Sequence, residues 1–177
     1  YFHTSHMTHL MDKPRKPAFS RALASSLLFV AASALPYMQA WALDDNALPT
    51  GGTVTGGSAT INYNGNQMDV HQSSDRVVID WNSFNIGGNA TAQFYQPSSS
   101  SLVVNRVTGD GDPSQILGTL RANGIVMELD KNGVIFGQNS VIDVGGIIAS
   151  TGDIDDAAVM NGDSALQFTS INSGEIR

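Results

Sequence analysis

The chain has 177 residues, room for one domain and a leader. Only 14% of them are charged, the net charge is −7 at pH 7, and there are 18 glycines; Gly, Ser, Thr and Asn fill the connections, which favours many tight turns over helices. There are no cysteines, which excludes disulfides, zinc–thiolate sites and cysteine nucleophiles.

Residues 1–12 carry His3, His6 and His9, with Met7 and Met11 as possible starts. Three histidines at that spacing could bind a metal, but the stretch reads as a disordered upstream tail. Lys13, Arg15, Lys16 and Arg21 form a positive n-region ahead of an apolar run from Ala22 to Leu35, too short for a stop-transfer helix. Pro36 breaks the run, and Ala40-Trp41-Ala42 fits the small-x-small cleavage pattern. Residues 13–42 therefore read as a secretory signal peptide cut after Ala42, or after Ala40 as second choice; the competing reading is a buried helix. Residues 43–177 then form the mature domain. They hold five basic and fifteen acidic residues, a net charge of −10 with no basic cluster, which argues against nucleic acid and anionic lipid as partners.

Leu43 to Gly57 reads as a polar, Gly-rich entry. Asn64-Gly65-Asn66 between the alternating Ala59-Ile61-Tyr63 and Met68-Val70 predicts a hairpin, hence an antiparallel cap near the N-terminus. Val77, Ile79 and Trp81 alternate as a strand that should bury Trp81; Phe84 and Ile86 extend the apolar face to Gly87-Gly88. Ala92 to Tyr95 and Leu102 to Val107 read as strands on either side of Pro97 and a serine loop.

Between residues 105 and 151 short apolar runs alternate with turn residues. Ile125, Met127 and Leu129 alternate with Val126, Glu128 and Asp130, the period of a strand. Asp130-Lys131-Asn132-Gly133 is a turn. Val134 to Phe136, Val141 to Val144 and Ile147 to Ala149 follow as further runs. Strands so short and closely spaced suit small rungs better than long hairpins. Asp112 as N-cap, Pro113 at the first helical position and Gly118 as a stop predict one short helix over 113–118, covering an open end or edge of the sheet. Gly152 to Asp163 reads as an Asp-rich loop or cover, Ala165 to Ile171 as a last strand, and Ile171 to Ile176 as the first half of a further rung, so more chain is expected beyond Arg177.

The candidate sites have plain structural alternatives. His71 with Asp69, Asp75 and Ser73 or Ser74 could suggest a hydrolytic triad, but a triad is assembled in space, and a surface histidine is the simpler reading. Asp110 with Asp112, and Asp153 with Asp155 and Asp156, lack calcium-loop spacing; a helix cap and a solvated loop explain them. Asn89-Ala90-Thr91 is a glycosylation sequon by pattern only. Trp81 and Phe84 could stack on sugar but read as core. Asn105, Asn123, Asn132 and Asn139 fall at turn edges, as a recognition surface or as side chains that satisfy backbone groups where rungs bend.

A family resemblance joins these pieces. Asn105-Arg106-Val107-Thr108-Gly109, Pro113-Ser114-Gln115-Ile116-Leu117-Gly118, Ala122-Asn123-Gly124, Asn132-Gly133-Val134-Ile135-Phe136-Gly137 and Val144 to Thr151 resemble the secretion domain that begins filamentous haemagglutinin-type exoproteins. The likeness reaches back through Leu48 to Gly52, Val77 to Gly87 and Gln96 to Ser100, in the family's order and spacing. It departs at one tetrad: the family's Asn-Pro-Asn-Gly is Asp130-Lys131-Asn132-Gly133 here. The resemblance implies an all-β fold, a right-handed parallel β-helix with an N-terminal antiparallel cap. It implies a two-partner-secreted adhesin or haemagglutinin, without enzyme activity or cofactor, exported through the periplasm of a Gram-negative bacterium to its surface or medium. The implied partners are an outer-membrane barrel with periplasmic POTRA repeats and, for the full-length protein, a host-cell or bacterial surface ligand. The residues expected to carry recognition are Asn105, Arg106, Asn123, Gly124, Asp130, Lys131, Asn132 and Gly133. Two other readings are a contact-dependent toxin stalk and a polysaccharide-active β-helix enzyme. The enzyme needs a groove with clustered carboxylates and a basic residue.

Overall fold

The computed structural model describes residues 42–177 except 110 and 171. The expected tail, the signal peptide up to Trp41, its Ala40 cleavage choice, Asp110 and Ile171 lie outside the described residues; Ala42 is exposed.

The first strands are β1 (Thr53–Gly56), β2 (Ala59–Asn64), β3 (Gln67–Gln72) and β4 (Arg76–Trp81). β2 and β3 form the expected antiparallel hairpin, turning through Gly65 at φ +60°. β1, inside the segment read as a polar entry, pairs antiparallel with β4.

From β3 onward the chain coils. Its second rung is β5 (Thr91–Tyr95), β6 (Leu102–Val107) and β7 (Ser114–Ile116). The third is β8 (Thr119–Ala122), β9 (Ile125–Asp130) and β10 (Gly133–Phe136), and the fourth begins with β11 (Val141–Asp143) and β12 (Gly146–Ser150). An excursion follows through β13 (Asp153–Ile154), α1 (Asp156–Asn161) and β14 (Phe168–Thr169) before β15 (Glu175–Ile176) completes that rung. The parallel strands stack in three columns: β3-β5-β8-β11, then β4-β6-β9-β12, then β7-β10-β15, which Ile86 extends by a bridge to Ile116. β2 closes the starting edge of the first column and β1 that of the second, the expected N-terminal cap.

Stacking in register puts like on like. Val77, Val103 and Val126 form one buried inward row; Met68, Ala92 and Leu120 form another. Trp81 is fully buried and packs edge-on against Phe84 at 5.5 Å, so both aromatics belong to the core. Each such side chain adds about 1.5–3 kcal/mol by leaving water, which lets strands of three to six residues hold together. A second, smaller core lies on the outer face of the middle column. There Val78, Val104 and Met127 stand in one row, covered by Ile154 and Val159 from the excursion. The last rung leaves Val141, Ile147, Ile148 and Ile176 exposed.

The helix expected over 113–118 is a strand. Ser114, Gln115 and Ile116 pair with Val134, Ile135 and Phe136 of β10, and Ser114 and Ile116 are buried. Column pairing overrides the local helix-start signal. The short helix lies instead at Asp156–Asn161, capped by Asp155, whose carboxylate accepts from the Ala157 amide, and ended by Gly162 at φ +77°. It covers the flank of the middle column rather than an end or edge. The strand expected over 165–171 shrinks to Phe168–Thr169, paired antiparallel with β13.

Candidate recognition site

The eight expected recognition residues fall into three settings, joined by β9. Asn123 and Gly124 form the corner that enters β9. The Asn123 amide pairs twice with the backbone of Gln96 on the rung before: Gln96 N donates to Oδ1 at 2.7 Å, and Nδ2 donates to Gln96 O at 2.8 Å. Gln96 Oε1 accepts from the Gly124 amide at 2.9 Å, and its Nε2 donates to Ser101 O, Ile125 O and Gln72 Oε1. Gln72 Nε2 in turn donates to Ser74 O and Leu102 O. This corner is a polar ladder of amides, one per rung, which supplies the partners that buried backbone groups need. A side chain at Gly124 would lie 2.6 Å from Ser101 O and 2.9 Å from Ser98 O, so only glycine fits. Nothing local in the sequence marks Gln72 or Gln96 as corner residues. An isolated glutamine before a serine loop carries no local signal; only the rung spacing from Gln72 to Gln96 to Asn123 shows it.

Asp130 to Gly133 form the corner that leaves β9. Asp130 is 1% exposed. Its Oδ2 accepts from Ser114 N and Oγ at 2.9 and 2.7 Å, and its Oδ1 accepts from Asn132 N at 2.9 Å. The turn therefore survives the tetrad's departure: a carboxylate supplies the acceptors, and Lys131 is exposed. Gly133 sits at φ +114°, with Glu175 of the next rung against it.

Asn105 and Arg106 sit in β6 itself, on opposite faces. Asn105 is fully buried inside the coil rather than at a turn edge, and accepts from Trp81 Nε1 at 3.0 Å. One rung on, Glu128 occupies the same inward row. Arg106 points outward beneath the excursion. It pairs with Asp80 at 3.2 Å, Asp153 at 2.7 Å and Asp156, and donates to Ile154 O at 3.0 Å. Burial opposes its charge, but Asp156 and Asp153 outweigh that and hold its pKa above the usual arginine value. Beside it a cleft of about 340 Å³ is lined by Arg106, Lys131, Thr151, Ser170 and Asn172. The fold thus brings Arg106 and Lys131 to one cleft, while Asn123 and Gly124 stay at the far end of β9. Of the eight, only Asn123 and Lys131 are exposed.

The other candidates resolve simply. His71 stacks on Tyr95 at 4.5 Å; Asp69 accepts from Gln67 Nε2 and Asp75 from Ser101 Oγ. Asp153 and Asp156 hold Arg106, and Asp155 caps α1. Among the described residues no group of three or more His, Cys, Asp or Glu could hold a metal.

The class of protein that the fold defines is a parallel β-solenoid of short rungs, capped by antiparallel strands and tied at its corners by polar side chains. The comparisons give the particular family: the chain belongs to the TPS secretion domain family, whose model matches residues 45–177. TPS domains are the secretion domains of two-partner-secreted exoproteins of Gram-negative bacteria, so neither the toxin-stalk nor the enzyme reading is favoured. The crystal structure of the HMW1 secretion domain from Haemophilus influenzae is similar, with a TM-score of 0.65 and 34% identity over 72% of this chain and 34% of that one. A heme/hemopexin-binding protein of Haemophilus influenzae strain Rd is 41% identical over 122 residues, and a second such protein of that species is 40% identical over 118. Those matches cover 69% and 67% of this chain but only 13% and 12% of the relatives.

Proposed function

We propose that residues 43–177 direct a larger exoprotein through a partner outer-membrane barrel, whose periplasmic POTRA repeats read the chain while it is still extended. Residues 13–42 serve as the signal for the first membrane and are removed at Ala42 or Ala40. Asn105, Arg106, Asn123, Gly124 and the tetrad Asp130, Lys131, Asn132 and Gly133 carry the recognition. One observation supports reading before folding: most of these groups are sequestered once the coil has formed. Asn105, Gly124, Asp130 and Gly133 are buried, and Arg106 is held by three carboxylates. Extended segments of this composition can add as strands to an exposed POTRA sheet edge. Once outside, the domain nucleates the β-helix. The domain itself is non-enzymatic, and the whole protein is an adhesin or haemagglutinin that meets a host-cell or bacterial surface ligand.

Secretion measured with and without the partner barrel tests the route. Export only with the barrel is expected, and equal export in both overturns the proposal. Purified POTRA repeats should capture the urea-unfolded chain and ignore the folded one.

A further inference from the structure

Glu128 has no structural use that the fold reveals. It lies in the inward row of β9 and is 1% exposed. Neither carboxyl oxygen meets a donor in good hydrogen-bond geometry, and the facing Asn105 Nδ2 likewise meets no acceptor, although the two side chains lie close enough to interact. Its row neighbours are Asn105 in β6 and Ala149 in β12, with Ile79 beyond Asn105 in β4, all uncharged. The charged group that acts on it most clearly is Asp130, two residues along β9. Ile79 and Ala149 show that the same row accepts apolar side chains.

Burial favours the neutral acid, Asp130 adds to the preference, and Asn105 offsets part of it, so the Glu128 pKa stands well above its ordinary 4.5. An unpaired carboxylate inside the coil would cost several kcal/mol, whereas the neutral acid costs far less.

We propose that Glu128 is a proton-operated brake on folding: the third rung seals onto the second only with Glu128 as the neutral acid, so closure takes one proton from water. The unfolded chain carries the carboxylate above about pH 4.5, where an unburied glutamate titrates. The folded chain then binds more protons than the unfolded one, so stability falls as pH rises, until the folded-state value is passed. In that window the folding constant drops up to tenfold per pH unit. At neutral pH the brake would keep the chain open longer, which suits passage in extended form; that consequence rests on the secretion reading, whereas the brake itself does not.

The test uses the whole 177-residue chain and Glu128→Gln, an uncharged variant of the same shape. Urea unfolding from pH 5 to pH 8 should show a midpoint that falls as pH rises in the parent and stays level in the variant. Refolding the parent in weak buffer with an indicator dye, at a pH above the range of an unburied glutamate, should take up protons, a reading that stands even if the variant does not fold. Equal pH slopes in the two proteins, or parent refolding without proton uptake, would overturn the proposal. Proton uptake with unchanged export of the variant through the partner barrel would support the brake and overturn its link to export.

Discussion

Replacing Arg106 with Met removes the clamp between the solenoid and its excursion while keeping an apolar stem of similar length. The guanidinium holds Asp80, Asp153 and Asp156 and donates to the Ile154 carbonyl, with its own side chain 15% exposed. Asp153 and Asp156 are 55% and 43% exposed, so solvent screens those pairs and each adds only a few tenths of a kcal/mol. The Asp80 pair and the bond from a mostly buried cation to Ile154 add about 0.8–1 kcal/mol each. The loss comes to about 2–3 kcal/mol, and it falls on residues 153–160 rather than on the whole coil. Hydrogen exchange should therefore show roughly 30- to 150-fold less protection for the Ile154 and Val159 amides, with β6 and β9 unchanged. Arg106→Lys should recover part of the loss, since Lys keeps the charge but not the planar fork. Unaltered protection at residues 153–160, or an equal loss across β4, β6 and β9, would refute the clamp.

Gly124→Ala pushes a methyl into Ser101 O and Ser98 O and should cost about 1–3 kcal/mol, read as a lower urea midpoint. Trp81→Phe leaves Asn105 Oδ1 buried without its donor, a loss of about 1–3 kcal/mol by the same assay. Asp130→Ala strands the Ser114 and Asn132 amides and should destabilise by about 2–4 kcal/mol, whereas Asp130→Asn, which keeps an acceptor oxygen, should cost about half as much. Equal effects for the two Asp130 variants would mean that the corner does not depend on an acceptor there.

The strands were legible where alternation ran for several residues. Val77 to Trp81, Leu102 to Val107 and Ile125 to Asp130 became β4, β6 and β9, and Asn64-Gly65-Asn66 became the hairpin turn. Residues 113–118 were not legible because three residues are too few to show a period. The capping signal of Asp112 and Pro113 is local, whereas the Asp130 carboxylate that takes the Ser114 amide lies 16 residues on. The helix at Asp156–Asn161 had a readable start and stop in Asp155 and Gly162, but the density of acids suggested a loop. At the site, Asn123 was legible as a corner residue. Asn105 was not, because its place inside β6 depends on which face the column buries. Glu128 and the acids around Arg106 acquire meaning only when strands 26 residues apart, such as those holding Asp80 and Arg106, come into register.

The antiparallel strands β1 and β2 make the coil one-way. They occupy the starting edges of two columns, where a parallel strand would otherwise add. New layers can therefore be laid down only in the direction in which the sequence runs. A chain that emerges N-terminus first would find its template already set, and each finished layer would hinder it from slipping back.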